Sequence, residues 1–307
     1  MGKRDFLSME SVSAPELTVL LDRASEMKAK RVPTNVLDGK TVAMIFEKPS
    51  TRTRVSFDVA ISELGATSLP LSGTELQLGR GETIEDTGRV LSRYVHGMVV
   101  RTFGQDRLER LAASSTVPVV NALSDLEHPC QALADLLTIR ERRGSFQGCT
   151  MTYVGDGNNV AHSLLLAGAI AGMRVIVATP PGYEPIPQIV KRAQQIAAET
   201  GGAAEVTTDA PTAVRDADVV YTDVWASMGQ EQEAAERKLI FAPYQVNPVL
   251  LARAKPDAMV LHCLPAHRGE AIAAEVLDGP QSAVWDQAEN RLHVQKALLE
   301  WLLEENA

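Results

Sequence analysis

A chain of 307 residues is long for one hydrophobic core and comfortable for two domains, and its 45% apolar and 22% charged residues are ordinary for a globular protein. A formal charge of −9 excludes nucleic acid as the expected partner, which needs a basic surface, and no apolar run nears the roughly 20 residues of a membrane span. The N-terminus lacks a signal-peptide core and the three cysteines, Cys130, Cys149 and Cys263, form no C-x-x-C pair, so no disulfide framework is expected and the compartment is read as cytoplasmic.

In chain order, Thr41–Phe46 reads as a buried strand, and Pro49 and Ser50 end it and open a helix. Further strands are predicted at Met98–Arg101, Val117–Val120, Thr150–Val154, Arg174–Ala178, Glu205–Thr208, Asp218–Thr222 and Ala258–Cys263. Helical patterns lie between most of them, clearest at Asp106–Ser115, Pro129–Arg143, Asn158–Ala171 and Ile186–Thr200, and Trp285–Glu304 reads as one long amphipathic helix. The alternation predicts an α/β protein of two doubly wound domains, each a parallel sheet flanked by helices. The boundary is placed at Arg142–Gly148. With the last helix docked back, residues 1–143 plus 287–307 form one domain and residues 144–286 the other. Ligands of open α/β sheets bind beyond the carboxyl ends of the strands. Ser50–Arg54, Arg101, the Gly155–Asn159 turn, Asp223 and Cys263 each follow a strand, which predicts one active site in the interdomain cleft.

Ser50-Thr51-Arg52-Thr53-Arg54 is the most informative stretch. Hydroxyls and guanidinium groups gather where a helix N-terminus leaves unpaired N–H groups and a partial positive charge, a cradle for a phosphate-like anion. The alternative is a capped helix with solvated arginines. Arg101 either emerges from a sheet edge or brings a second cation to the same anion. His128-Pro129-Cys130-Gln131 opens a helix; His128 is a turn residue or a donor to a carbonyl oxygen, and Gln131 can bind an amide. Gly155-Asp156-Gly157-Asn158-Asn159 lacks the third glycine of a dinucleotide fingerprint, because Val160 stands there; it is a tight turn or presents its asparagines to the cleft. Asp223-Val224-Trp225-Ala226-Ser227-Met228-Gly229 suits an amine-binding loop, against an ordinary surface loop. His262-Cys263-Leu264-Pro265 matches no usual zinc spacing, and a Cys263 nucleophile lacks an evident base, so no metal is assigned. His96, His162 and His293 are assigned structural roles.

Together and in this order, these motifs resemble those of the transcarbamylases. Ser50–Arg54 is similar to their carbamoyl-phosphate signature and His128–Gln131 to their H-P-x-Q element. The Ser-Met-Gly loop at Asp223–Gly229 and the H-C-L-P run at His262–Pro265 resemble the ornithine branch, and the likeness extends to Glu289-Asn290-Arg291. The resemblance implies carbamoyl phosphate and L-ornithine as substrates, with no cofactor and no metal. It implies that Ser50, Thr51, Arg52, Thr53 and Arg101 hold the phosphate and carbonyl, with His128 on the carbonyl oxygen. Gln131, Cys263, Leu264 and Arg291 would hold the carbamoyl amide, and Asn159, Asp223, Ser227 and Met228 the ornithine. Arg52, Arg101, His128, Asp223 and Cys263 carry the chemistry. Gln77 matches a glutamine that the family reaches across from a neighbouring subunit, which implies a homo-oligomer, a trimer or a multiple of trimers; the segment before it, S-G-T-E-L, departs from the family's usual form. The rivals are a transcarbamylase for another amine such as putrescine, a nucleotide-dependent oxidoreductase on the same framework, and a phosphate-metabolite sensor.

Overall fold

The computed structural model describes residues 3–30, 33–73, 81–226 and 233–304. The chain divides into two compact units, Met1–Leu137 with Glu289–Ala307, and Thr138–Ala288. The elements of the first run α1 (Ala14–Lys30), β1 (Thr41–Phe46), α2 (Thr51–Glu63), β2 (Thr67–Ser72), α3 (Ile84–Leu91), β3 (Gly97–Arg101), α4 (Gln105–Ser114) and β4 (Val119–Leu123). After α5 (Pro129–Arg143) come β5 (Thr150–Val154), α6 (Asn159–Ile170), β6 (Arg174–Ala178), α7 (Pro187–Thr200), β7 (Ala203–Thr207), α8 (Ala210–Ala213) and β8 (Val219–Thr222). The chain continues through α9 (Ala234–Phe241), α10 (Pro248–Leu251), β9 (Met259–His262), α11 (Ala274–Leu277) and α12 (Val284–Glu304). The division between the units falls inside α5 and α12.

Each unit is built on an all-parallel sheet, ordered β2–β1–β3–β4 in the first and β7–β6–β5–β8–β9 in the second. In each the chain winds outward from one strand, then returns past it to wind the other way. The reversals lie between β1 and β3 and between β5 and β8, and crevices at such switch points are where doubly wound sheets receive ligands. Every predicted strand is present, three of them with the predicted ends and the others with ends moved by one to three residues. The sequence pattern predicts no strand at Thr67–Ser72, yet β2 pairs with β1 along its whole length. It is an exposed edge strand carrying Pro70, so it has neither the apolar run of a central strand nor a full set of donors.

The cores explain the patterns. In the first unit Ala43, Ile45, Met98 and Val100 of the sheet pack with Ile84 of α3 and Leu108 and Leu111 of α4. Phe6 is fully buried and extends the sheet beyond β4 by a single parallel bridge to Val120. α12 joins this unit through buried polar groups: Lys296 with Glu63 at 2.6 Å, Asn290 with Lys28 at 2.8 Å and Glu300 with Arg23 at 2.6 Å. In the second unit α6 is buried from Val160 to Ile170, as a helix whose apolar residues cover most of its circumference must be, and takes His162 and Ser163 inside with it. Gly168 lets it lie against β6, since a Cβ there would come within 2.2 Å of Val175 Cγ2.

That close approach sets a test of the packing. Gly168→Val should destabilise the protein by about 2 kcal/mol or more through overpacking, read as a lower urea midpoint at unchanged slope.

Candidate functional site

In the first unit the site grows from the N-terminus of α2. Ser50 adopts extended backbone at the N-cap and its hydroxyl accepts the Thr53 N–H at 3.3 Å. The first turn of α2 holds no acid; α3, by contrast, has Glu85 and Asp86 in its first turn. Cations at a helix N-terminus oppose the helix dipole, so Arg52 and Arg54 here are unfavourable until an anion joins them. Both are exposed, as is Thr51, whereas Thr53 is buried. Arg101, at the end of the central strand β3, is also buried, so it does not emerge from a sheet edge.

Arg291 on α12 draws this half together. Its guanidinium donates to Thr53 Oγ1 at 2.9 Å and to Gln131 Oε1 at 2.8 Å, and lies 3.3 Å from His128 Nε2. Gln131 in turn donates its amide to Asp135 Oδ1 at 2.8 Å, which fixes which end of the side chain is oxygen. Burial holds the His128 pKa well below its ordinary value, and the guanidinium groups of Arg291, Arg101 and Arg52 lower it further. The ring is therefore neutral. With Nε2 accepting from Arg291, the proton sits on Nδ1, and the ring can donate only from there. Burial pushes the Cys130 thiol up to about 12, so this cysteine is inert. Lys48, buried, pairs with Asp125 and lies 4.4 Å from the centre of the Phe103 ring, tying together the loops that follow β1, β3 and β4.

In the second unit the turn after β5 opens α6. Asn158 is the N-cap, its Oδ1 accepting the N–H groups of Val160 at 2.9 Å and Ala161 at 3.2 Å. Its Nδ2 donates to Asp223 Oδ2 at 3.3 Å, and the Cys263 thiol donates to the other oxygen, Oδ1, at 2.9 Å. Asn159, the residue singled out from the sequence, is the half-buried first residue of α6. The sequence pattern does not separate the two asparagines; the N-cap role assigns the Asp223 contact to Asn158. Leu264 has φ 56°, a left-handed backbone that costs a non-glycine residue about 1 kcal/mol or more. Its N–H is held by His262 Nδ1 at 2.9 Å. Gln77, Ser227 and Met228, and with them Arg80, lie outside the described residues.

Asp223, His262 and Cys263 each offer a ligand atom, all within 4.8 Å of one another, and form the one such trio among the described residues. A cation there would displace the thiol proton and the Leu264 amide. As they stand, a carboxylate, a thiol and a carboxamide form a hydrogen-bonded set with the polarity to receive an ammonium or amine.

Residues 4–141 match the family model described as aspartate/ornithine carbamoyltransferase, carbamoyl-P binding domain, and residues 147–302 match its Asp/Orn binding domain. The chain is 60% identical over 309 residues to an ornithine carbamoyltransferase of Parafrankia, covering 99% of this chain and 98% of that one. It is similar to the solved ornithine carbamoyltransferase of Pyrococcus furiosus, with TM-score 0.94 and 56% identity over 97% of this chain and 96% of that one. The anabolic enzyme of Campylobacter jejuni matches with TM-score 0.93 and 39% identity over 98% and 99%.

The buried neutral imidazole has a measurable consequence. The unfolded His128 ring binds a proton near pH 6.5 and the folded ring does not, so stability is full above about pH 6.5 and falls as pH drops below it. His293, also lowered by burial, contributes in the same sense. Urea unfolding between about pH 5 and 8 should show this slope, and His128→Asn should flatten part of it; an unchanged slope would mean that the ring takes up its proton equally in the folded and unfolded states.

Proposed function

Because the chain belongs to the aspartate/ornithine carbamoyltransferase family, we propose that it transfers the carbamoyl group of carbamoyl phosphate to the δ-amine of L-ornithine, giving L-citrulline and phosphate. The acceptor is carried by one observation: Asp223 sits between Cys263 and Asn158, and the H-C-L-P run supplying Cys263 belongs to a chain aligned end to end with ornithine carbamoyltransferases. Relatives described as anabolic support the synthetic direction, towards arginine.

The phosphate would lie at the α2 N-terminus, on Ser50, Thr51, Arg52 and Thr53, with Arg101 bridging phosphate and carbonyl. Arg101 and Nδ1–H of His128 would stabilise the oxyanion as the amine attacks, and Arg52 the departing phosphate. Gln131, oriented by Arg291 and Asp135, would hold the carbamoyl NH2 together with the Cys263 and Leu264 carbonyls. Phosphate is a competent leaving group once its charge is held, so positioning and charge supply the catalysis. The δ-amine must attack as the neutral form, although a free alkylammonium has a pKa near 10.4. Asn159, Asp223, Ser227 and Met228 would hold the α-amino acid end, and the Asp223–Cys263 region would help to select and orient the neutral amine.

Residues 1–143 plus 287–307 would serve carbamoyl phosphate and residues 144–286 ornithine. A homotrimer would let Gln77 complete a neighbour's phosphate site. Apolar Val55 of α2 and Leu69 of the edge strand β2, 54% and 40% exposed, support an interface on that side. We place the reaction in the cytoplasm; the cysteines are free thiols, and no described helix is long and apolar enough to cross a membrane.

An acceptor screen with carbamoyl phosphate tests the reading. Ornithine should give citrulline far faster than putrescine, aspartate or N-acetylornithine give their products, and preference for putrescine would reassign the acceptor. Arg52→Ala should reduce kcat/KM for carbamoyl phosphate by about a hundredfold or more, and near-normal turnover would remove the phosphate cradle. At fixed ornithine, the rate should climb into the alkaline range as the amine deprotonates, with a flat profile speaking against that step.

A further inference from the structure

Arg237 of α9 is a buried cation with no part in the proposed chemistry. Its guanidinium pairs with Asp156, and its Nε donates to the Trp225 carbonyl at 2.6 Å. Its flat face lies 4.9 Å from the centre of the Tyr183 ring and 5.3 Å from that of Phe241. These rings meet edge to face at 4.8 Å, and Phe241 stacks on Trp225. The guanidinium is thus fixed in plane by its hydrogen bonds and out of plane by aromatic faces.

Beside a longer ion pair with exposed Glu233 at 3.8 Å, its two hydrogen-bond partners lie on the two segments that carry the acceptor-binding groups. Asp156 stands just before Asn158 in the turn after β5, and Trp225 just after Asp223 beyond β8. Those segments meet at their front through Asn158 Nδ2 and Asp223 Oδ2, 3.3 Å apart, and Arg237 ties them at the back. The turn cannot slide to compensate. Gly157 donates its N–H to the Tyr183 carbonyl at 2.9 Å, and a Cβ on Gly157 would come within 2.3 Å of Pro185 N. Burial also raises the Asp156 pKa and Arg237 opposes that rise, so the carboxylate's hold depends on its partner.

We propose that Arg237 is a positioning residue for the amino-acid acceptor, holding Asn158 and Asp223 in register through Asp156 and the Trp225 carbonyl. This rests on the reading of ornithine as acceptor. It assigns Arg237 no contact with substrate and no influence on the carbamoyl-phosphate half-site.

The test compares the full-length protein with Arg237→Met, Arg237→Lys and Asp156→Asn. Each is assayed for KM of both substrates, melting temperature, and inhibition by L-norvaline, which keeps the α-amino acid end of ornithine and lacks the δ-amine. In Arg237→Met the ornithine KM and the norvaline inhibition constant should rise together by about tenfold, the KM for carbamoyl phosphate staying unchanged. Arg237→Lys should recover only part, since an ammonium cannot reach two acceptors and stack at once. Should Arg237→Met fail to fold, Asp156→Asn, which keeps the shape and removes the charge, carries the same expectation. Unchanged ornithine KM, or an equal rise in both KM values in step with lost melting temperature, overturns the proposal. Citrulline formation by the unaltered protein separates that outcome from failure of the acceptor assignment.

Discussion

The buried guanidinium of Arg291 is the contact on which the first half-site depends. A cation removed from water is tolerable only where acceptors replace its hydration. Here the acceptors are Thr53 in the first turn of α2, and His128 and Gln131 at the start of α5. Satisfying one arginine therefore fixes the two helix starts that carry the remaining groups. It also helps to fix the protonation state of His128, because a cation beside Nε2 disfavours a second one on the ring.

The two units sort charge by task. The first gathers Arg52, Arg101 and Arg291 around a neutral imidazole, an environment for a dianionic acyl phosphate. The second offers Asp223 with a thiol and a carboxamide, an environment for an amine. In a chain of net charge −9 the cationic patch is the exception, and its placement at a helix N-terminus without acidic residues adds the helix dipole to it. Opposite polarity in the two units suits an anionic ligand to the first and an amine to the second.

Much of this was legible in the residues. Thr41–Phe46, Thr150–Val154 and Arg174–Ala178 coincide with β1, β5 and β6 because buried parallel strands are short apolar runs between turn signals. Edge strand β2 was not legible, since T-S-L-P-L-S is half polar and contains proline. Within the site, Ser50–Arg54 and His128–Gln131 could be read because each cluster is local. Arg237 could not, because its hydrogen-bond partners Asp156 and Trp225 are distant in sequence and only the fold brings them to one guanidinium. Asn158 and Asn159 are chemically identical neighbours, and only the helix start between them separates their roles.

The return of α12 also orders the making of the molecule. Chains emerge from the ribosome N-terminus first, and domains tend to fold as they appear. The second unit, continuous from Thr138 to Ala288, is complete before the first, whose closing segment begins at Glu289. Until α12 is synthesised, Thr53, His128 and Gln131 lack their common donor, and Glu63 lacks Lys296. The part of the chain made first is therefore the last to become a binding site, and a nascent or prematurely ended chain presents no assembled carbamoyl-phosphate pocket.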